Sequence, residues 1–281
     1  VSRNRKHTLN QKLHLRVESK ALISILPLAS PSLATSPFSH TLFDRVLQTH
    51  VDLQGSVDYA ALQADRAPLD NYIDSLALYS PQSHPQRFLS PNHQLAYWIN
   101  TYNAFVLRGI LDAYPVDSVM DIKYFNGFFN RQKFIAGGQE MTLDHLENQI
   151  IRPIYKDPRI HFAVNCGALS CPMLENRTFN GADLDLRLAA AQERFMTDPQ
   201  HIRIDRQAPA IHLSKILDWY GDDFVNWYPN KKDSPSIKTN LLDYLILYLP
   251  PKEADFLRQN PDLEISFYEY NWQLNGQSGD K

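Results

Sequence analysis

The apolar positions Leu95, Ile99, Tyr102, Val106 and Ile110 constrain this chain more than any other feature. Residues three and four apart share a helix face, so the spacing predicts a helix from about Asn92 to Ala113, stopped by Tyr114-Pro115. The apolar stripe is wide, which predicts a helix buried on much of its surface. Asn100 and Asn103 break the pattern: they share one face, and Asn103 falls four after Ile99 and three before Val106, inside the stripe. A buried amide must find hydrogen-bond partners or cost a few kcal/mol. Either the amides tie down a neighbouring loop, or they serve a polar site that needs fixed donors.

Other helices surround this one. Leu42, Phe43, Val46, Leu47 and Val51 predict a helix ended by Gly55, and Leu62, Leu69, Tyr72, Ile73 and Leu76 continue helically toward Ser80-Pro81. A link with Pro81, Pro85 and Pro91 separates this layer from the long helix. Residues 123–130 read as loop, and Arg131 to Ala136 as a strand before a Gly137-Gly138 turn. Thr142 can cap a helix through about Arg152, ended by Pro153. Further helices are expected at Ala182 to Met196, after a Ser214 cap, and at Leu241 to Leu249. His201 to Ile204 and Ala210 to Leu213 alternate like a hairpin, and Ile265 to Leu274 reads as a final aromatic strand. The fold class is α+β: a helix-rich single domain over 35–281 with a small antiparallel sheet, a helical N-terminal layer over 38–80 and a thiol-site core over 92–275. A chain of 281 residues with 43% hydrophobic side chains has enough material for one such core.

Charge is distributed unevenly. Six basic side chains (Arg3, Arg5, Lys6, Lys12, Arg16, Lys20) face Glu18 alone in the first 34 residues, a balance of +5, so the net −3 leaves −8 for the rest. That acidity offers no footprint for nucleic acid or an anionic membrane surface. The basic start, the apolar run Ala21 to Ala29 and the small residues Ser32 and Ala34 read as an export signal, with a disordered basic arm as the alternative. No later stretch approaches the ~18 apolar residues of a membrane span. The expected mature protein is therefore periplasmic or secreted and outside the membrane, or cytoplasmic if residues 1–34 are not a signal.

Both cysteines lie in His161-Phe162-Ala163-Val164-Asn165-Cys166-Gly167-Ala168-Leu169-Ser170-Cys171-Pro172, five positions apart. A thiol ionises near pH ~8.5 and becomes a useful nucleophile only when a cation, an imidazolium or a helix N-terminus stabilises the thiolate. His161 is in the same segment; His201 and His212 are alternative imidazole sources, each otherwise a solvated strand residue. On an extended His161 to Asn165, His161 and Cys166 point apart, so they meet only if the chain turns at Asn165-Cys166-Gly167. Cys171 can reach back if residues 167–170 reverse direction. Cys166 is the slightly better nucleophile, because Pro172 leaves Cys171 without a following N–H as oxyanion donor. Glu147 points into the buried face set by Leu143, Leu146 and Ile150 and needs a partner: Arg152 or Arg159 structurally, or His161 functionally. The competing state is a disulfide, which export would favour. Cys-x4-Cys is a weak zinc spacing, so no metal is expected, and no phosphate-binding glycine loop suggests a nucleotide cofactor.

These segments, with Ala96-Tyr97-Trp98-Ile99-Asn100-Thr101-Tyr102-Asn103-Ala104, Leu143-Asp144-His145-Leu146-Glu147, Leu213 to Tyr220 with Asp223-Phe224, and Tyr270 to Asn275, resemble the domain of unknown function 547 family. The resemblance covers most of the chain from about Val57. It implies a fold similar to papain-type cysteine peptidases, with a permuted strand order allowed, and a thiol site. Carried onto this chain, Cys166 and Cys171 are the thiols, His161 the histidine and Glu147 the helical acid. Asn100, Asn103, Asn165 and Gly167 are the candidates, from their own chemistry, for placement near the oxyanion or substrate. The expected activity is a thiol-dependent hydrolase or acyl transferase on a peptide-like amide or thiol-containing small substrate, with no cofactor. The alternative is a non-catalytic envelope or binding module with a Cys166–Cys171 disulfide.

Overall fold

The computed structural model describes residues 36–227 and 240–277. The expected export segment lies outside the described residues. Everything described belongs to one compact unit that begins at Thr35.

The chain runs α1 (Thr41–His50), α2 (Tyr59–Ala64), α3 (Ala67–Leu78), α4 (Pro91–Leu111), α5 (Gly127–Asn130), β1 (Phe134–Ala136), β2 (Gln139–Met141) and α6 (Leu143–His145). A π-helical turn (Leu146–Ile151) leads into α7 (Arg152–Tyr155), then come a 3-10 turn (Pro158–Phe162), α8 (Leu184–Thr197), β3 (Ile202–Asp205) and β4 (Ala210–Leu213). After these come α9 (Lys215–Trp219), α10 (Gly221–Asn226), α11 (Leu241–Tyr248), α12 (Pro251–Gln259) and β5 (Glu264–Phe267).

α4 is the axis. Ser90 caps it by accepting the His93 N–H, Pro91 occupies the first turn, and every residue from Leu95 to Leu107 is buried. α1 and α3 cover it through Phe43 stacked on Tyr72 at 5.1 Å, and the β1–β2 hairpin adds Phe134 stacked on Phe105 at 4.6 Å. A second core lies around Phe195, Ile211, Leu213, Phe224, Tyr244 and Leu245, between α8, the three-stranded sheet and the late helices. Helices dominate and the sheets are small, as the α+β reading requires.

Several expectations need correction. The larger sheet is mixed rather than antiparallel: β3 pairs antiparallel with β4, but β5 runs parallel to β4. Several helices separate β4 from β5, and such a crossover returns a strand in the same direction. The final strand stops at Phe267, after which the chain crosses the cysteine stretch, with Leu169 N–H donating to Gln273 O at 2.8 Å and Asn275 N–H to Gly167 O at 3.0 Å. The expected loop at 123–130 closes with one helical turn, α5, in which Asn130 N–H donates to Asn126 O at 3.1 Å. Thr142 caps its helix as expected, but Pro153 does not end it, because the π turn widens the ladder just before the proline and helix resumes to Tyr155. Finally, His161 begins no strand. Asp157 accepts the Arg159 N–H, Pro158 fixes the first turn, and the resulting 3-10 turn carries His161.

Candidate active site

A cleft of about 400 Å³ lies between the cysteine stretch, the π turn, α5, α9 and the C-terminal crossing segment. Its wall includes Glu147, His161, Cys166, Cys171, Trp219, Tyr220, Tyr270 and Trp272. Four site residues named from sequence thus share one surface.

The turn needed at Asn165-Cys166-Gly167 is present. Gly167 sits at φ +82°, and a Cβ there would approach Ile110 Cδ1 to 2.5 Å, so glycine is required both by backbone and by space. Asn165 holds the turn: its Oδ1 accepts the Gly167 N–H at 2.7 Å and its Nδ2 donates to Pro172 O at 2.7 Å. The reversal brings the sulfurs together as a Cys166–Cys171 disulfide, with Cα atoms 6.3 Å apart. Cys166 N–H donates to Cys171 Sγ at 2.9 Å. The Tyr270 hydroxyl lies 3.2 Å from Cys166 Sγ and 3.1 Å from Cys171 Sγ. Bonded sulfurs can only accept, so the phenol donates to them.

His161 is 2% exposed and stacks on the Tyr220 ring at 3.9 Å. Its Nε2 lies 2.7 Å from Asp223 Oδ2. Arg152 grips the same carboxylate with both arms, Nε to Oδ2 at 2.7 Å and Nη2 to Oδ1 at 2.9 Å. Burial pushes the Asp223 carboxyl up, but the hydrogen bonds from His161 and Arg152 outweigh it and hold the group below the usual carboxylate range. An ionised carboxylate only accepts, so Nε2 carries the hydrogen and donates. Nδ1 is buried without a hydrogen-bond partner among the described residues.

Asp223, not Glu147, therefore orients His161. Neither expected arginine pairs with Glu147 either, since Arg152 is on Asp223 and Arg159 on Asp157 and Asp185. Glu147 meets the hydroxyls of Tyr102 and Tyr220 instead. Burial, then the Glu147 charge, keeps both phenols protonated far above their ordinary range. Tyr270 is pushed up in the same way.

The amides expected near the oxyanion are committed elsewhere. Asn100 donates to Phe179 O at 2.8 Å and accepts Phe179 N–H at 2.9 Å. Asn103 donates to Ala163 O at 3.0 Å and accepts Asn165 N–H at 2.8 Å. They tie loops to α4, and Asn165 and the Gly167 N–H are likewise spent on the turn. His201 stacks on Phe195 at 4.2 Å, and His212 Nδ1 meets Ser266 Oγ at 2.6 Å; neither lines the cleft. Asp223, Tyr220 and Tyr270 are the site residues that sequence reasoning did not single out, although all three fall inside the quoted motifs. Among the described residues no group of three or more His, Cys, Asp or Glu is placed to hold a metal ion.

Residues 86–196 match the model of a family described as Protein of unknown function, DUF547. The family resemblance is borne out over those residues. The DUF547 match contains α4, the π turn and the cysteine stretch, whereas Asp223 and Tyr270 lie beyond it. No curated protein and no solved structure matches the chain.

Proposed function

We propose that this chain is a thiol-dependent hydrolase or acyl transferase acting on a peptide-like amide, working from the dithiol state of Cys166 and Cys171. One observation carries the reading: the His161 ring is fixed by a buried carboxylate on Nε2 while Nδ1 is left without a partner, in the same cleft as both sulfurs. A base oriented by a third group beside a nucleophile is the logic of acyl-transfer triads.

A thiol reductant first opens the bridge and leaves as its own disulfide. Of the two sulfurs, Cys171 Sγ receives both the Cys166 N–H and the Tyr270 hydroxyl, so its thiolate is the better stabilised. The Cys171 thiol gives its proton to His161 Nδ1, and the thiolate attacks the acyl carbon and forms the S–C bond. Tyr270, protonated and within reach of both sulfurs, is the donor placed for the oxyanion. The C–N bond breaks as the amine takes a proton from His161, and water or a second amine then releases the acyl group and regenerates the thiol. This modifies the sequence preference for Cys166, whose following N–H is spent on Asn165. In fold terms the reading sets the chain beside papain-type cysteine peptidases with permuted strand order, supported by the thiol, histidine and carboxylate at one cleft. Export to the periplasm or beyond belongs to the same reading, because an oxidising compartment keeps the bridge closed until a reductant arrives.

The test is alkylation of the reduced protein by iodoacetamide at pH 6.5, with the adduct mapped by mass spectrometry. Rapid labelling at Cys171 is expected, slowed about tenfold or more in His161→Ala and Asp223→Asn. Labelling no faster than free cysteine, and unchanged in both variants, contradicts the mechanism. The closed bridge favours a second reading, a non-catalytic envelope or binding module stapled by Cys166–Cys171. A bridge over so short a loop stabilises by about 2 kcal/mol. That reading expects reduction to lower stability without activating either thiol.

A further inference from the structure

Glu147 is 7% exposed, and its carboxylate faces a cleft. A buried carboxylate is costly unless a cation or several strong donors accompany it. Among the described residues no lysine, arginine or histidine nitrogen forms an ion pair with it. The Arg152 guanidinium lies near it but is spent elsewhere, Nε and Nη2 on Asp223 and Nη1 on Asn148 Oδ1. The fixed companions of Glu147 are two neutral phenols, Tyr102 and Tyr220. Asp144 adds a second carboxylate to the cleft wall, while the one basic ring there, His161, is already held by Asp223. The cleft is thus short of positive charge.

Another part of its lining is aromatic. Tyr270 and Trp272 lie 4.4 Å apart between centroids, Trp219 and Tyr270 4.8 Å, and Trp219 and Trp272 stack at 5.7 Å. Trp219 remains 45% exposed, so ring surface is left for a ligand. Aromatic faces attract organic cations, and a carboxylate beside such faces makes the preference one-sided. The π turn that carries Glu147 is itself a device by which helices re-aim a side chain at functional sites.

We infer that this cleft seats an organic cation, an ammonium or guanidinium group of the substrate, between Glu147 and the Trp219–Tyr270–Trp272 wall. The inference rests on the thiol reading for the statement that this cation belongs to the acyl substrate, within one side-chain length of the carbonyl attacked. The volume of about 400 Å³ accommodates a lysine-sized side chain together with the amide that bears it. Glu147 is then a specificity residue, separate from the His161–Asp223 pair that moves the proton.

The experiment uses the oxidised protein, in which no thiol can react. Tryptophan fluorescence and calorimetry follow titration with N-acetyl-lysine methylamide, N-acetyl-arginine methylamide and the neutral N-acetyl-norleucine methylamide. Binding of one or both cationic probes at least about tenfold tighter than the norleucine probe is expected, with the preference lost in Glu147→Gln and reduced by about 1 M salt. The lysine and arginine arms decide between ammonium and guanidinium. Equal binding of cationic and neutral probes, or no binding of any, overturns the proposal, and this wild-type comparison stands even if Glu147→Gln does not fold. Selective binding without thiol activation leaves the cation site standing alone; thiol activation without selectivity removes only the cation site.

Discussion

Two sets of buried polar groups sit within this molecule. On α4, Asn100 and Asn103 spend donor and acceptor on the backbone of a neighbouring loop. At the cleft, among the described residues, His161 Nδ1 has no hydrogen-bond partner and Glu147 has no ion-pair partner. Both sets interrupt apolar faces and look alike in sequence. The first set has its hydrogen bonds filled within the fold, whereas the second lines the cleft to which the chemistry is proposed to belong.

Breaking the first set should cost the most stability. Asn103→Ala strands the Ala163 carbonyl and the Asn165 N–H inside the core, at roughly 1–3 kcal/mol each. Denaturant unfolding should report a loss of about 4 kcal/mol; a loss under about 1 kcal/mol would mean that the amide is not the tie. Gly167→Ala comes next. The left-handed backbone and the approach to Ile110 Cδ1 predict a loss of about 3 kcal/mol, together with slower closure of the Cys166–Cys171 bridge in air oxidation.

The second set should respond to pH more than to heat. Asp223→Asn should cost about 2 kcal/mol at neutral pH, since it weakens the pair with Arg152. The Asp223 carboxyl titrates below its unfolded value, so its stabilisation is present above about pH 4 and is lost as pH falls through the depressed folded value. The variant should therefore show a shallower acid limb in thermal melts between about pH 4 and 2. An unchanged acid limb would remove Asp223 from the charged cluster.

His40 gives the smallest and sharpest contrast with His161. It is held by a neutral phenol, Nδ1 to Tyr72 Oη at 2.7 Å, and burial drives its pKa down to about 4, against the pull of Asp44 and with the push of His93. A histidine buried neutral stabilises fully above its unfolded pKa near 6.5 and loses that contribution as pH falls toward about 4. Melts of His40→Gln should be flatter over that window. His50 and His201, shifted the same way, leave a residual slope. A slope identical to wild type would show that His40 is not the buried neutral ring described.

Much of this was legible beforehand where a period or a cap was long enough to read. α4, the Thr142 and Ser214 caps and the hairpin from Ile202 to Leu213 arise from apolar spacing and first-turn chemistry. His161-Phe162-Ala163-Val164 is too short to distinguish a strand from a 3-10 turn by period, although Asp157-Pro158 carried the helical signal just upstream. The parallel pairing of β5 depends on how the intervening helices cross over, which no local pattern encodes. The site was half legible. Glu147 interrupts an apolar face, and the cysteines and His161 share one short stretch, but Asp223 is one of two adjacent aspartates 62 residues from the ring it orients. Only packing tells it from Asp222.

The acyl-transfer mechanism proposed for this cleft depends on its activating a thiol once the bridge is opened. The rate of iodoacetamide addition to the reduced wild-type protein across pH 5 to 10 measures that activation. A thiolate held by Tyr270, the Cys166 N–H and the His161–Asp223 pair should give a plateau that extends well below the free-cysteine midpoint of about 8.5, with the adduct on Cys171. A single titration at about 8.5, shared equally by both cysteines, would contradict the thiol mechanism.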